Sequence, residues 1–115
     1  MTGRERVLAA IRGRPVDRVP IALWRHFPQQ DQRAETLAEA HAAFQKRWQW
    51  DLLKVTPAAY YYGDDWGLRA GYKPNPAGVR NVTERPIKKP DDWGRLRQLD
   101  VTGGVYGREL YGLRL

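Results

Sequence analysis

Three residues close to two short apolar runs have the side-chain chemistry to bind an acidic small molecule. Arg25 and His26 directly follow the apolar run 21–24, and Lys54 lies inside a second run at 52–56. A guanidinium holds a carboxylate through two parallel hydrogen bonds, and an imidazole exchanges a proton near neutral pH. We therefore predict Arg25, His26 and Lys54 as substrate-binding residues, and no residue is predicted as catalytic.

Each of these residues also has a purely structural interpretation. Arg25 could form a salt bridge, for instance with Asp51, His26 could be a hydrogen-bonded loop residue, and Lys54 could point outward from a strand edge. His41 falls on the apolar stripe of a predicted helix, which favours packing over catalysis.

Two further groups of residues also have both a functional and a structural interpretation. The aromatic residues at 60–62 could stack on a flat ligand, but they are more typical of loop packing. Asp64 and Asp65 precede Trp-Gly, and that order is more typical of a turn than of an acid–base pair.

Composition narrows the class of protein. There are 20 Lys and Arg against 13 Asp and Glu, a formal net charge of +7, but no run of five or six cations. We therefore predict no nucleic-acid partner and no membrane partner. The chain has no cysteine and only two histidines, so no disulfide and no cysteine-bound metal can form. No metal site and no cofactor are predicted.

The N-terminal half reads as helix, strand, helix, strand. Thr2 and Glu5 form a capping box for a helix over 3–12, which Gly13 ends. The runs 21–24 and 52–56 are predicted as buried strands, joined by a helix from an N-cap at Asp31 to about Trp48. A strand, a long helix and a strand are typical of a parallel sheet.

The C-terminal half carries weaker signals. Residues 68–72 and 79–83 are predicted as a small hairpin, and Pro90 is predicted to start a short helix. A Gly-rich connector at 101–107 leads to a predicted helix at 108–115. The glycines Gly103, Gly104 and Gly107 lack the spacing of a phosphate-binding loop. Because the apolar pattern runs to the last residue, we expect a truncated chain.

Three blocks resemble the N-terminal third of uroporphyrinogen-decarboxylase family proteins. They are RERVLAAIRGRPVDRVPIALWRHFP, WDLLKVTP and RPIKKPDDWGRLRQLD. The family's Gly-x-Pro-x-Asp-Arg-x-Pro turn is matched by Gly13, Pro15, Asp17, Arg18 and Pro20. The resemblance implies an α/β fold in which residues 1–115 are one truncated N-terminal portion of a (β/α)8 TIM barrel, with a small β-hairpin insertion.

The same resemblance implies a function. It suggests a cytoplasmic lyase of porphyrin biosynthesis that decarboxylates the acidic side chains of a tetrapyrrole-like substrate without a cofactor. Arg25 would be the carboxylate anchor, a homodimer is the implied assembly, and this segment alone would be incomplete as a catalyst.

The sequence departs from the decarboxylases at two points. A second Arg after the first strand is absent, and Lys54-Val55-Thr56-Pro57 stands where the family has its catalytic Asp. Two alternatives therefore stay open: a segment of a cobamide-dependent methyltransferase-like enzyme, or a small basic anion-binding module.

Overall fold

A computed structural model describes the backbone of residues 1–115 and every side chain except those of Tyr72 and Pro74. It contains four α-helices, one 3₁₀ helix and one hairpin of two strands. In chain order they are α1 (Gly3–Ile11), α2 (Ala34–Trp48), α3 (Tyr61–Asp64), β1 (Arg69–Pro74), β2 (Arg80–Glu84), the 3₁₀ helix (Pro90–Arg95) and α4 (Gly104–Gly112).

The ends of α1 follow from local hydrogen bonds. The Thr2 hydroxyl accepts the Glu5 N–H at 3.2 Å, and the Glu5 carboxylate accepts the Thr2 N–H at 2.7 Å. At the other end Gly13 adopts φ 65°, which lets the N–H groups of Gly13 and Arg14 reach the carbonyls of Ala10 and Ala9. The predicted capping box and glycine stop are both confirmed.

Helix α2 starts later than the sequence predicts. Its N-cap is Arg33, which caps with no side-chain hydrogen bond, while the side chain of Asp31 is buried and accepts a hydrogen bond from the Gln32 amide. One face of α2 packs on Phe27, whose ring meets His41 edge-on at 5.0 Å and Phe44 at 5.9 Å. The helix is thus held by side-chain packing.

The predicted fold class is wrong. In the described backbone the sheet consists of β1 and β2 alone, paired antiparallel with Arg69 opposite Glu84 and Ala70 opposite Val82. The runs 21–24 and 52–56 form no strand, so the chain shows neither a parallel sheet nor a portion of a (β/α)8 barrel.

The two runs still lie side by side. The Asp51 N–H donates to the Ile21 carbonyl at 2.9 Å, and the Lys54 Nζ lies 3.8 Å from the centre of the Trp24 ring. Beyond this one backbone hydrogen bond, the two runs do not form the ladder of hydrogen bonds that defines a sheet. A parallel pair gains stability from neighbouring strands and from helices on both faces, and here Leu23 and Leu52 each remain 52% exposed.

The apolar core is small. Its buried hydrophobic residues, among the side chains described, are Ala34, Leu37, Ala58 and Ala59. The accessible surface is 8429 Å², whereas a compact monomer of this mass has roughly 6,400 Å². The radius of gyration is 17.7 Å, against about 13 Å for a compact domain of this length. Much apolar surface therefore remains in contact with water.

Candidate functional site

A wide concave surface lies between the loop at 12–33 and α2. This aromatic groove has a volume of about 950 Å³ and is open along one side. Four aromatic rings line it, together with two guanidinium groups, and they are Phe27, Phe44, Trp48, Trp50, Arg25 and Arg47.

The rings form a continuous wall. Trp48 and Trp50 stack at an interplanar angle of 20° with centroids 6.0 Å apart, and Phe44 lies 6.1 Å from Trp50. Gln49 adopts the left-handed conformation at the end of α2, which turns the chain so that the two indoles meet. Such a wall offers stacking area to a flat ligand.

The two guanidinium groups lie over rings of this wall. Arg25 is 5.3 Å from the Phe27 centroid and Arg47 is 5.1 Å from the Trp48 centroid. Arg25 donates to the His26 carbonyl at 3.2 Å. Among the described side chains, no carboxylate lies within salt-bridge distance of either guanidinium, although Glu39 also lines the groove. Both cations are therefore placed to hold an added carboxylate.

The three predicted residues do not all line the aromatic groove. Of Arg25, His26 and Lys54, only Arg25 lines the aromatic groove. The His26 Nδ1 lies 3.2 Å from the Pro57 carbonyl, and Lys54 is exposed with its Nζ over the Trp24 ring. Both contacts join the two apolar runs, so these residues hold the loop that carries Arg25.

The proposed salt bridge between Arg25 and Asp51 is wrong, because Asp51 belongs to another group of charges. We call Arg6, Asp17, Arg18 and Asp51 the N-terminal clamp. Arg6, which is buried, donates from Nε to Asp17 at 2.6 Å and from Nη1 to Asp51 at 2.5 Å. Arg18 adds two bonds to Asp51 at 2.6 Å and 2.9 Å.

The clamp fixes the start of the loop that leads to Arg25, since the Ile21 N–H also donates to Asp51 at 2.9 Å. Hydrogen bonds from Arg6 hold the pKa of Asp17 well below its usual range, and bonds from Arg18 and the Ile21 N–H lower the pKa of Asp51. Asp17 and Arg18 of the family-like turn therefore have a structural role.

A second group of charges lies in the middle of the molecule and was not predicted as a unit. We call Asp31, Asp64, Arg80, Arg108 and Glu109 the central charged cluster. Arg80 donates to Asp64 at 2.9 Å, and Glu109 accepts from Arg108 at 2.8 Å. Outside the cluster, Arg80 also donates to the Ala59 carbonyl at 2.5 Å, and Glu109 accepts the Ala58 N–H at 3.4 Å.

This cluster leaves polar atoms unsatisfied. The side chain of Asp31 is fully buried, and its Oδ2 has no hydrogen-bond partner among the described atoms; the same is true of the Arg80 Nε. Burial raises the pKa of Asp31. The sequence predicts Asp31 as the N-cap of α2, because Asp is a common N-cap residue. No local pattern indicates that Arg80 and Glu109 lie close to it.

His41 is buried and packs as the sequence predicts. Its Nε2 accepts the Thr56 N–H at 2.8 Å, and its Nδ1 lies 3.0 Å from the Leu37 carbonyl. These two bonds require a ring that carries its proton on Nδ1. His41 thereby ties α2 to the second apolar run, and neither nitrogen is free for catalysis.

The glycines near α4 also have a structural role. Asp65 accepts the N–H groups of Val105 and Tyr106 at 2.9 Å and 3.1 Å, so a carboxylate from a distant loop caps the helix. A side chain at Gly104, where φ is 57°, would place its Cβ 2.5 Å from that carboxylate. The predicted connector at 101–107 is therefore wrong from residue 104 onward, where α4 begins.

Comparison of the chain with protein-family models, with curated proteins and with solved structures gives no match. In the part of the chain that the structure describes, no helix has the length and apolar character needed to cross a membrane. The described side chains also contain no group of three or more His, Asp or Glu residues placed to hold a metal ion.

Proposed function

We propose that this chain binds a flat, acidic organic molecule in the aromatic groove, with Arg25 as the carboxylate anchor. The observation that carries the proposal is the position of Arg25. It lies at the wall of an aromatic groove and is exposed to water, and no carboxylate among the described side chains lies within salt-bridge distance of it.

The chemistry of the groove selects the class of ligand. A planar guanidinium matches a carboxylate, and aromatic rings favour a flat conjugated body over a flexible chain. The volume of about 950 Å³ lies near the upper end of the roughly 300–1,000 Å³ typical of small-molecule sites. A tetrapyrrole with several carboxylate side chains has these properties.

The resemblance to uroporphyrinogen decarboxylases points to the same class of substrate, and it rests on the sequence blocks alone. In this proposal Arg25 and Arg47 contact the ligand. His26 and Lys54 act by holding the loop in place through Pro57 and Trp24. We propose only that this chain binds the ligand. Decarboxylation of that ligand is implied by the resemblance and by no contact in the groove.

The test is a fluorescence titration with uroporphyrin, a stable tetrapyrrole that carries acetate and propionate groups. Arg25→Gln removes the charge and keeps a polar side chain, although a shorter one. Because a hydrogen bond to a charged group is worth roughly 1.5–3 kcal/mol, we expect the dissociation constant to rise about tenfold or more. Arg47→Gln should weaken binding in the same direction.

The control is Arg14→Gln, an exposed cation in the turn after α1 that does not line the groove. It changes the net charge by the same amount as Arg25→Gln. If both variants weaken binding equally, the ligand is held by the net positive charge of +7 and the site proposal is wrong. Equal affinity of wild type and Arg25→Gln would also contradict it.

A further inference from the structure

The aromatic groove also carries one negative charge, which belongs to Glu39. This residue lines the groove from α2, and its side chain is exposed to water. Among the described side chains, no cation lies within salt-bridge distance of the Glu39 carboxylate. The groove therefore holds an unpaired carboxylate as well as the unpaired guanidinium groups of Arg25 and Arg47.

The sequence of α2 gives Glu39 no partner on its own helix. A carboxylate on a helix surface pairs with a cation three or four residues away, and the residues at 35, 36, 42 and 43 include no cation. Glu35, one turn earlier, differs in this respect, because its carboxylate lies 3.7 Å from the Arg33 guanidinium. The Glu39 carboxylate is thus available to a ligand in the groove.

Along α2 the two ends of the groove have opposite charge. Arg47 lies eight residues after Glu39, which corresponds to a rise of about 12 Å along the helix axis. Ala40 and Ala43 line the groove between these two charged residues. Their small side chains leave room for a flat ring system that reaches from one charge to the other.

We propose that Glu39 selects ligands that carry a protonated amine at the end opposite to their carboxylate. The inference rests on the proposed function, because it concerns the same groove. A ligand whose carboxylate is held at Arg47 presents its far end to Glu39, where an ammonium group is attracted. Glu39 therefore narrows the class of flat acids to aromatic aminocarboxylates.

The test compares two naphthalene carboxylates of equal size, one with an aminomethyl and one with a hydroxymethyl group at the far end of the ring system. Only the aminomethyl probe is positively charged there at neutral pH. By isothermal titration calorimetry, the wild type should bind it about threefold more tightly, as expected for an exposed ion pair. Glu39→Gln should bind the two probes equally.

The control is Glu35→Gln, which removes the same charge from α2 at a position outside the groove. This variant should keep the threefold preference for the amine. If Glu39→Gln also keeps it, the amine is held by another group, such as the aromatic wall, and the inference is wrong. A wild type that binds both probes equally, or neither of them, overturns the inference as well.

Arg25→Gln separates this inference from the function on which it rests. If Arg25→Gln weakens the binding of both probes while Glu39→Gln keeps the preference for the amine, the groove binds acids and only the role of Glu39 is wrong. If Arg25→Gln changes neither dissociation constant, the probes bind elsewhere and both proposals are wrong.

Discussion

The N-terminal clamp and the central charged cluster both join carboxylates to guanidinium groups, yet Asp51 in the clamp and Asp31 in the cluster have pKa values shifted in opposite directions. In the clamp, Asp51 accepts bonds from Arg6, Arg18 and the Ile21 N–H, and its pKa falls. In the cluster, Asp31 has a buried oxygen with no described partner, and its pKa rises.

The difference follows from the number of hydrogen bonds to the charged form. A buried or half-buried carboxylate that accepts several of them stays ionised and stabilises the fold. A carboxylate that is buried away from water and gains too few hydrogen bonds in exchange favours the protonated form. The clamp therefore stabilises the fold in its charged state, whereas Asp31 opposes folding once it is charged. Four substitutions test how much each of these contacts contributes to the stability of the fold.

Asp51→Asn should have the largest effect, because it leaves the buried Arg6 without one of its two carboxylate partners and releases Arg18 and Ile21. We expect the lowest urea midpoint of the four variants. Asp91→Asn is the control, since Asp91 is exposed and forms no described salt bridge. A midpoint for Asp51→Asn equal to that of the control would show that the clamp contributes nothing.

Arg80→Met should come next. It removes the cation that faces Asp64 and lies near Asp31, and leaves both acids in a poorly solvated place. Removal of one partner of a buried ion pair costs on the order of 3 kcal/mol. Urea unfolding measures this loss of stability. The control is Arg95→Met, because Arg95 is an exposed partner of Asp92. A cost below that of the control would contradict the role of Arg80.

Asp31→Asn should produce a smaller effect that depends on pH. The folded-state pKa of Asp31 is raised, so below the unfolded value of about 3.9 both states hold the proton and no penalty exists. As pH rises above that value toward the folded pKa, the wild type loses stability relative to the variant. Urea unfolding of both chains from acid to neutral pH tests this, and a constant difference would contradict it.

Thr2→Ala should have the smallest effect. It removes the hydroxyl that caps the Glu5 N–H, and loss of an N-cap costs about 1 kcal/mol. Because α1 carries Arg6, the thermal midpoint should fall slightly, and Thr2→Ser should restore it. If Thr2→Ala lowers stability as much as Asp51→Asn, the clamp and the cap are one cooperative unit.

The parts of the fold that the sequence predicts are those whose partners are close in the chain. The capping box joins Thr2 and Glu5, and the stop at Gly13 uses carbonyls of the last turn of α1. The hairpin is also present near its predicted position, over β1 and β2. The short helix predicted to start at Pro90 is a 3₁₀ helix.

Predictions that needed distant partners were wrong or incomplete. The runs 21–24 and 52–56 were predicted as strands because they are apolar, but an apolar run predicts burial and not the neighbour that completes a ladder. The start of α4 depends on Asp65, which accepts the N–H of Val105 from 40 residues away in the sequence. Arg25 is predicted as a binding residue from its position after an apolar run, whereas no pattern in the sequence indicates the aromatic rings that surround it.

The sequence alone was enough to predict the two ends of α1, the presence of a hairpin and the positive charge of Arg25. Hydrogen bonds within a few residues and the identity of a side chain fix these properties. The folded chain was needed to show that Asp51 pairs with Arg6 and Arg18, that Asp31 is buried, and that Arg25 lines an aromatic groove. Those outcomes depend on which distant segments meet, and no local pattern records that.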